Sequence, residues 1–153
     1  MAKAEPCAQP DPANNRLGNT VVWLLGRASL RASQSLHERL AGHGIRKWHY
    51  AVLAVVAEAG PITQAEIVRR LGIDRGDLVG VLNDLGDAGY VRRAPDPANR
   101  RRNQVTLTPE GAAALRRFDA CVVETDDSLL GVLSAAEREQ LTRLLERVVH
   151  AAN

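Results

Sequence analysis

The stretch from Thr63 to Thr108, TQAEIVRRLGIDRGDLVGVLNDLGDAGYVRRAPDPANRRRNQVTLT, contains the pattern that decides the fold. Two short segments with apolar residues at helical spacing are joined by the Gly72-Ile73 turn. Two strand-like segments follow at once, with an arginine-rich loop between them. Two helices joined by a tight turn and followed by a basic β-hairpin predict a winged helix-turn-helix.

The ends of the two short helices are marked by capping residues. Thr63 with Glu66 three residues later predicts a capping box, in which each side chain bonds a free N–H at the other's position. Gly72 is predicted to end the first helix, because glycine tolerates the positive φ of a C-terminal cap. Asp74 is predicted to be the N-cap of the second helix.

The second helix is predicted to have an inner and an outer face. Apolar residues at helical spacing should pack inward: Leu78, Val81, Leu82, Leu85 and Ala88. The outer face holds Arg75, Gly76, Val79, Gly80 and Asn83. Each of its two glycines costs about 1 kcal/mol in a helix interior. Two hypotheses stay open for the glycines of this face. They allow close approach to DNA, or they are tolerated in an ordinary surface helix.

The hairpin is predicted to run from Tyr90–Ala94 to Gln104–Thr108, with a loop that contains Pro95, Asp96, Pro97 and Asn99. It holds one acid, Asp96, against five basic residues: Arg92, Arg93, Arg100, Arg101 and Arg102. Most charge runs of this kind form a solvated face. Here the run directly follows a candidate recognition helix, which favours contact with phosphates and the minor groove.

The segment LGIDRGDLVGVLNDLGDAGYVRRAPDPANRRRNQVTLTPEG, which begins at Leu71, resembles the MarR family of bacterial transcription regulators. The resemblance depends on the Asp-Pro-Ala-x-Arg-Arg wing followed by Leu-Thr-Pro-x-Gly. It implies a homodimeric, ligand-responsive repressor that binds a palindromic operator in double-stranded DNA. The chain departs from the family at Asn99, where a second wing aspartate is usual. Its recognition helix also has fewer hydroxyl and basic residues.

The candidate DNA contacts fall into three groups. Thr63 and Gln64, at a helix N-terminus, are predicted to hold phosphate through backbone N–H groups. The residues expected in or beside the major groove are Arg75, Gly76, Val79, Gly80 and Asn83. The residues expected to reach phosphates or the minor groove are Arg93, Arg100, Arg101 and Arg102.

The rest of the chain is predicted to be mostly helical. We expect a flexible tail over residues 1–15 and a single domain over residues 16–153. Within that domain, residues 46–108 would form the winged helix-turn-helix lobe. Residues 16–44 and 109–153 would form dimerisation helices.

Further helix boundaries follow from the same signals. The spacing predicts helices from Leu17 to about Leu40, from Trp48 to Glu58, and from Pro109 towards Leu133 with a possible break near Asp126-Asp127-Ser128. Ser134 and Glu137 predict a capping box for a last helix. Ile62 is a candidate for a short strand that pairs with the wing.

Charge and composition bound the function. The full chain has a formal net charge of +2, which is too small to demonstrate a nucleic-acid partner. Residues 109–153 contain eight acidic and five basic residues, so this third is expected to face away from DNA. No segment is apolar and long enough for a signal peptide or a membrane span, which predicts a cytoplasmic protein.

An effector site and two alternative functions complete the predictions. Trp23, Arg27, Trp48 and His49 lie on the first two helices and could present rings and a cation to a small aromatic or anionic ligand. The plain alternative is that both tryptophans belong to the core and that Arg27 lies at the surface. The other functions are a thiol redox sensor that uses Cys7 or Cys121, and a winged-helix protein-interaction module without DNA binding.

Enzymes and metal proteins are disfavoured. No Ser-His-Asp or Cys-His arrangement is recognisable from spacing, and the four histidines lack a metal-ligand pattern. Two cysteines far apart predict neither a disulfide framework nor a zinc site. We therefore expect no catalytic residue, no metal and no cofactor.

Overall fold

The structure, a computed structural model, describes residue 18, residues 20–96 and residues 99–151, with the backbone alone for residues 99–102. The predicted tail over residues 1–15, with Cys7, lies outside the described residues. Six helices and three strands occur in the described part: α1 (Val21–Ala41), α2 (Lys47–Ala59), β1 (Ile62–Thr63), α3 (Gln64–Leu71), α4 (Arg75–Asp87), β2 (Val91–Asp96), β3 (Asn99–Leu107), α5 (Pro109–Leu130) and α6 (Ala135–Ala151). The predicted mostly helical fold with a small β wing is confirmed.

The turn between α3 and α4 has the predicted chemistry. Gly72 adopts φ 61° and ψ 22°, a left-handed conformation that favours glycine. The Asp74 carboxylate caps α4 by accepting from the Gly76 N–H at 2.7 Å. Thr63 caps α3 by accepting from the Glu66 N–H at 3.3 Å. The reciprocal half of that capping box is wrong, because the Glu66 carboxylate instead accepts from Arg69 and Arg70.

The three strands form one antiparallel sheet in the order β1-β3-β2. Ile62 pairs with Val105, which confirms the predicted short strand before α3. The wing strands are longer than predicted, since β2 extends through Pro95 to Asp96. Pro95 fits there because β2 is an edge strand, where a missing N–H breaks no interior ladder.

The joint between the wing and α5 explains the Leu-Thr-Pro-x-Gly motif. The Thr108 hydroxyl accepts from the Gly111 N–H at 2.9 Å and donates to the Gly89 carbonyl at 2.7 Å. A Cβ atom at Gly111 would lie 2.0 Å from the Tyr90 carbonyl oxygen. Only glycine permits this approach, so the motif fixes the start of α5 against the turn between α4 and β2.

Nearly all of the core lies in the lobe from α2 to β3 and in the first half of α5. The side chains that are fully buried include Leu53, Ile67, Leu78, Leu82, Leu85, Val105 and Phe118. These residues are aliphatic except Phe118, as the low aromatic content predicts. The helix-turn-helix is therefore held by a core that one chain completes by itself.

The terminal helices differ from the predicted boundaries. The α1 helix begins at Val21, not Leu17, because Thr20 has an extended backbone. The α5 helix is unbroken through Asp126–Ser128 and ends at Leu130 rather than Leu133. Its end is fixed by Arg138, whose Nε donates to the carbonyls of Leu130 and Leu133 at 3.0 and 3.3 Å. The predicted Ser134–Glu137 capping box is confirmed.

Candidate nucleic-acid interface

The two faces of α4 separate as the apolar spacing predicts. Leu78, Val81, Leu82 and Leu85 are buried, whereas Ala88 is exposed because it is the C-cap of the helix. The outer residues are all exposed: Arg75, Gly76, Val79, Gly80 and Asn83. Apart from Arg75, the side chains of this face are short, which allows the helix to approach a DNA groove closely.

The surroundings of Gly76 and Gly80 differ, so the presence of glycine has a different explanation at each position. A Cβ at Gly76 would lie 3.1 Å from the capping carboxylate oxygen of Asp74, so glycine relieves local crowding there. A Cβ at Gly80 would meet nothing within 4 Å. The fold of this chain does not require glycine at position 80, which leaves an external partner or neutral tolerance as its explanation.

A groove lies where the N-termini of α3 and α4 meet the wing. It has a volume of about 580 Å³ and is lined by Thr63, Gln64, Ala65, Glu66, Arg69, Arg75 and Asn103. The predicted Thr63, Gln64 and Arg75 therefore come together, and the prediction missed Arg69 and Asn103. The spacing of Glu66 to Arg69 and Arg70, three and four residues along a helix, is the sequence signal that identifies Arg69.

Glu66 is held as an anion beside these cations. Hydrogen bonds from Arg69 and then from Arg70 lower the pKa of its carboxyl to about 2. Arg70 Nε lies 2.9 Å from Glu66 Oε1. Because the pair is solvent-exposed, it contributes little to the stability of the fold, and its main effect is to orient the arginines.

Arg93 is not directed away from the protein as a simple DNA contact would be. Its Nη2 group donates to the Asn83 side-chain oxygen and, at 3.2 Å, to the Leu82 carbonyl oxygen. The wing strand β2 is thereby tied to α4. The backbone of Arg100, Arg101 and Arg102 lies in β3, and their side chains lie outside the described residues.

His49 has a structural environment rather than an open one. It is 4% exposed, its Nδ1 accepts from the Arg46 N–H at 2.9 Å, and its Nε2 lies 3.0 Å from Asp84 Oδ2. Since Nδ1 accepts, Nε2 bears the proton and donates to Asp84. The His49 hydrogen bond, with Arg46 3.0 Å from the same oxygen, lowers the pKa of Asp84.

The four predicted effector residues do not line one pocket in this chain. Trp23 and Arg27 line a groove of about 420 Å³ on α1. Trp48 lines a separate groove of about 340 Å³ with Arg46, Gly76, Asp77, Gly80 and Val81. His49 faces a third, smaller cavity.

Within the described part of the chain, neither an exposed cysteine thiol nor a metal-binding cluster is found. Cys121 is buried on α5, whereas a reactive thiol needs solvent access. No group of three or more histidine, cysteine or acidic residues among the described positions is arranged to hold a metal ion. None of the described helices is long and apolar enough to cross a membrane.

Comparison with known proteins decides the family. Residues 43–102 match the MarR family. The regulator PecS of Dickeya dadantii is 30% identical over 131 residues, which cover 84% of this chain and 79% of PecS. The chain belongs to the MarR family. It is a DNA-binding transcription regulator and not an enzyme.

Two solved MarR-like structures are similar along most of the chain. A mutant of Escherichia coli MarR in complex with operator DNA is 28% identical, with a TM-score of 0.75 and coverage of 91% of this chain and 99% of that one. BpsR of Bordetella bronchiseptica, whose DNA binding is regulated by 6-hydroxynicotinic acid, is 26% identical, with a TM-score of 0.78 and coverage of 86% and 94%.

Proposed function

We propose that this MarR-family protein, as a homodimer, binds a palindromic operator and represses transcription until a small aromatic carboxylate releases it. The observation behind the proposal is the exposed outer face of α4 beside an arginine-rich hairpin. The operator complex of the similar E. coli protein supports double-stranded DNA as the partner. The alternative, a winged-helix protein-interaction module without DNA binding, predicts no salt-dependent affinity for a duplex.

Each part of the lobe has a proposed role. The outer face of α4 enters the major groove, where Asn83 contacts base edges. Gln64 and the N-terminus of α3 approach a phosphate, and Arg69 and Arg75 add positive charge beside it. Arg100, Arg101 and Arg102 reach the flanking phosphates or the minor groove.

The first test is the dependence of affinity on salt. A labelled duplex selected by this protein from a random-sequence pool is titrated at several salt concentrations. The logarithm of the affinity should fall steeply with the logarithm of the salt concentration. Arg101→Ala should weaken selected and scrambled duplexes alike and reduce that slope by about one unit. Single alanine variants at all three wing positions that keep the parental affinity and slope would remove the wing from the interface.

Gly80 provides a test of the recognition helix. Gly80→Ala should raise the free energy of unfolding by about 1 kcal/mol, because open space surrounds the new methyl group. Its DNA affinity should be equal or lower. Gly80→Glu should keep the helical circular dichroism and lose DNA affinity, since it brings a negative charge towards phosphates. Parental affinity in Gly80→Glu would show that this face stays outside the groove.

The proposed dimer depends on apolar surface at both ends of the chain. On α1, Trp23 is 47% and Leu30 is 59% exposed, and on α6, Val148 is 59% and Val149 is 63% exposed. An apolar groove of about 540 Å³ lies between α1, α5 and α6. Exposed apolar patches of this extent are typical of interaction surfaces. A two-fold dimer would present two α4 helices to half-sites about one DNA turn apart.

Removal of residues 134–153 tests the dimer. The truncated chain should be a monomer or an aggregate by light scattering, and it should lose tight binding to the selected duplex. The full chain serves as the control at the same concentration. A truncated protein that remains a folded dimer would contradict the assignment of α6 to the dimer interface.

The proposed effector is an aromatic carboxylate, as it is in BpsR. The Trp48 groove is the better candidate for coupling to DNA, because Gly76 and Gly80 of the recognition helix form part of its wall. The Trp23–Arg27 groove has an exposed cation one helical turn from an indole ring. Ligand bound in either groove would shift the population away from the DNA-competent form.

Fluorescence titration with salicylate and 6-hydroxynicotinate tests this proposal. Binding should quench tryptophan fluorescence and release the selected duplex. Trp23→Phe and Trp48→Phe then show which indole reports the ligand. Removal of the arginine in that groove, Arg27 beside Trp23 or Arg46 beside Trp48, should weaken both the quenching and the release of DNA. Unchanged fluorescence and DNA affinity across these anions would exclude an aromatic carboxylate site.

A further inference from the structure

Arg93 and Asn83 form a contact that bears on base recognition. Arg93 Nη2 lies 2.5 Å from Asn83 Oδ1 and 3.2 Å from the Leu82 carbonyl oxygen. A Cβ at Gly86 would lie 3.8 Å from the same nitrogen. One guanidinium group therefore sits against three positions in the second half of α4, where the negative end of the helix dipole also favours a cation.

The contact fixes the orientation of the Asn83 amide. A guanidinium group only donates hydrogen bonds, so the group that faces it must be the amide oxygen. The NH2 branch of Asn83 is then directed away from Arg93. Asn83 is exposed on the same outer face as Gly76 and Gly80, so that NH2 group is available to an outside partner.

We propose that Arg93 is a positioning residue that makes Asn83 a hydrogen-bond donor to bases, which sets the base preference at one operator position. This proposal rests on the proposed function of α4 as the recognition helix. A free asparagine pairs with adenine through both its oxygen and its NH2 group, whereas an asparagine that only donates favours acceptors. In the major groove guanine presents two acceptors, N7 and O6, and thymine presents O4, whereas adenine presents N7 beside an N6 donor that a donor-only asparagine leaves unpaired.

The same contact links the wing to the recognition helix. Arg93 pairs with Val105 in the sheet and so belongs to the base of the hairpin, below the wing arginines. Asp84, the next residue after Asn83, is bound by His49 and Arg46 at the start of α2. The second half of α4 is thereby held by contacts with both α2 and β2, and the β2 contact, Arg93, also orients a candidate base contact.

The test compares Arg93→Met, Asn83→Ala and the control Arg92→Met. Arg92 lies on the same strand and is exposed, so its replacement removes the same charge without touching Asn83. Duplexes are selected from a random pool by each protein, and affinities for selected and scrambled duplexes are measured at several salt concentrations. Thermal unfolding checks each fold.

In the parent, we expect one operator position to prefer guanine or thymine over adenine, because their acceptors receive the Asn83 NH2 group without needing the amide oxygen. That preference should fall roughly ten-fold in both Arg93→Met and Asn83→Ala, at the same position, and remain in Arg92→Met. The salt slope of Arg93→Met should match that of Arg92→Met. A merely structural role would lower the affinity for selected and scrambled duplexes equally and leave the preference unchanged.

Three results would overturn the proposal. One is an unchanged base preference in Arg93→Met together with a salt slope that is smaller than that of Arg92→Met by about one unit. This result would make Arg93 a phosphate contact. Another is an Asn83→Ala protein with the parental preference at every position. The third applies if Arg93→Met fails to fold: Gly86→Leu crowds the guanidinium from the helix side, and an unchanged base preference in that variant would overturn the proposal. A parent that selects no duplex would instead refute the proposed function itself.

Discussion

The lobe from α2 to β3 and the terminal helices α1 and α6 have similar fractions of apolar residues but bury them differently. In the lobe, Leu53, Leu78 and Leu82 are fully buried by neighbours in the same chain. In α6 no residue is buried, and in α1 only Leu40 is. The lobe therefore buries its core side chains within one chain, whereas the terminal helices leave most of their apolar side chains exposed in the single chain. This difference matches a DNA-binding unit with a complete core of its own, attached to helices that are proposed to bind a second copy.

The largest expected effect lies at the joint between the lobe and α5. Gly111→Ala places a methyl carbon 2.0 Å from the Tyr90 carbonyl oxygen, a backbone atom that cannot move alone. We expect a loss of more than about 4 kcal/mol in the free energy of unfolding. Thermal and urea unfolding measure it, with Gly80→Ala as the matched glycine control. A Gly111→Ala protein as stable as the parent would mean that α5 shifts easily relative to the wing.

A core substitution in the lobe should have the next largest effect. Leu82→Ala removes a fully buried side chain and should cost about 2–5 kcal/mol. Because Leu82 belongs to the core of a single chain, the dissociation constant of the proposed dimer should not change. Urea unfolding and sedimentation velocity on dilution measure the two quantities separately. A change in dimer dissociation would show that the lobe and the terminal helices are not independent.

The converse substitution tests the terminal helices. Leu145 on α6 is 37% exposed in the single chain and lines the groove between α1, α5 and α6. Leu145→Ala should weaken the dimer by about 1–2 kcal/mol and make the melting temperature more dependent on protein concentration. An exposed control, Glu139→Ala, should leave dissociation as in the parent. If Leu145→Ala dissociates no more readily than the control, the groove is not covered by a second copy.

The smallest expected effect is electrostatic. Arg69 and Arg70 lower the pKa of Glu66 from 4.5 to about 2, so Glu66 stabilises the fold above pH 4.5 and this contribution is lost as the pH falls towards 2. Glu66→Gln should be slightly less stable than the parent at pH 7, and the gap should close across that interval. Melting temperatures at matched ionic strength measure it. A constant gap between pH 7 and pH 2 would assign the difference to something other than this ion pair.

The sequence determined the features that depend on neighbours along the chain. Helix caps at Thr63, Asp74 and Thr108 and the left-handed turn at Gly72 follow from hydrogen bonds within a few residues. The inner and outer faces of α4 follow from the 3.6-residue period. Family membership was also accessible, because wing and joint motifs occur in one continuous segment.

Only the tertiary structure decided which distant side chains meet. Arg93 was a charge in a basic run until the hairpin brought it against Asn83, and His49 became a buried link only when α2 met α4. Glycine at position 111 had no visible reason until α5 approached the Tyr90 carbonyl. Local periodicity specifies which face a residue occupies. It does not specify the partner across the contact, because that partner is set by how separate elements pack.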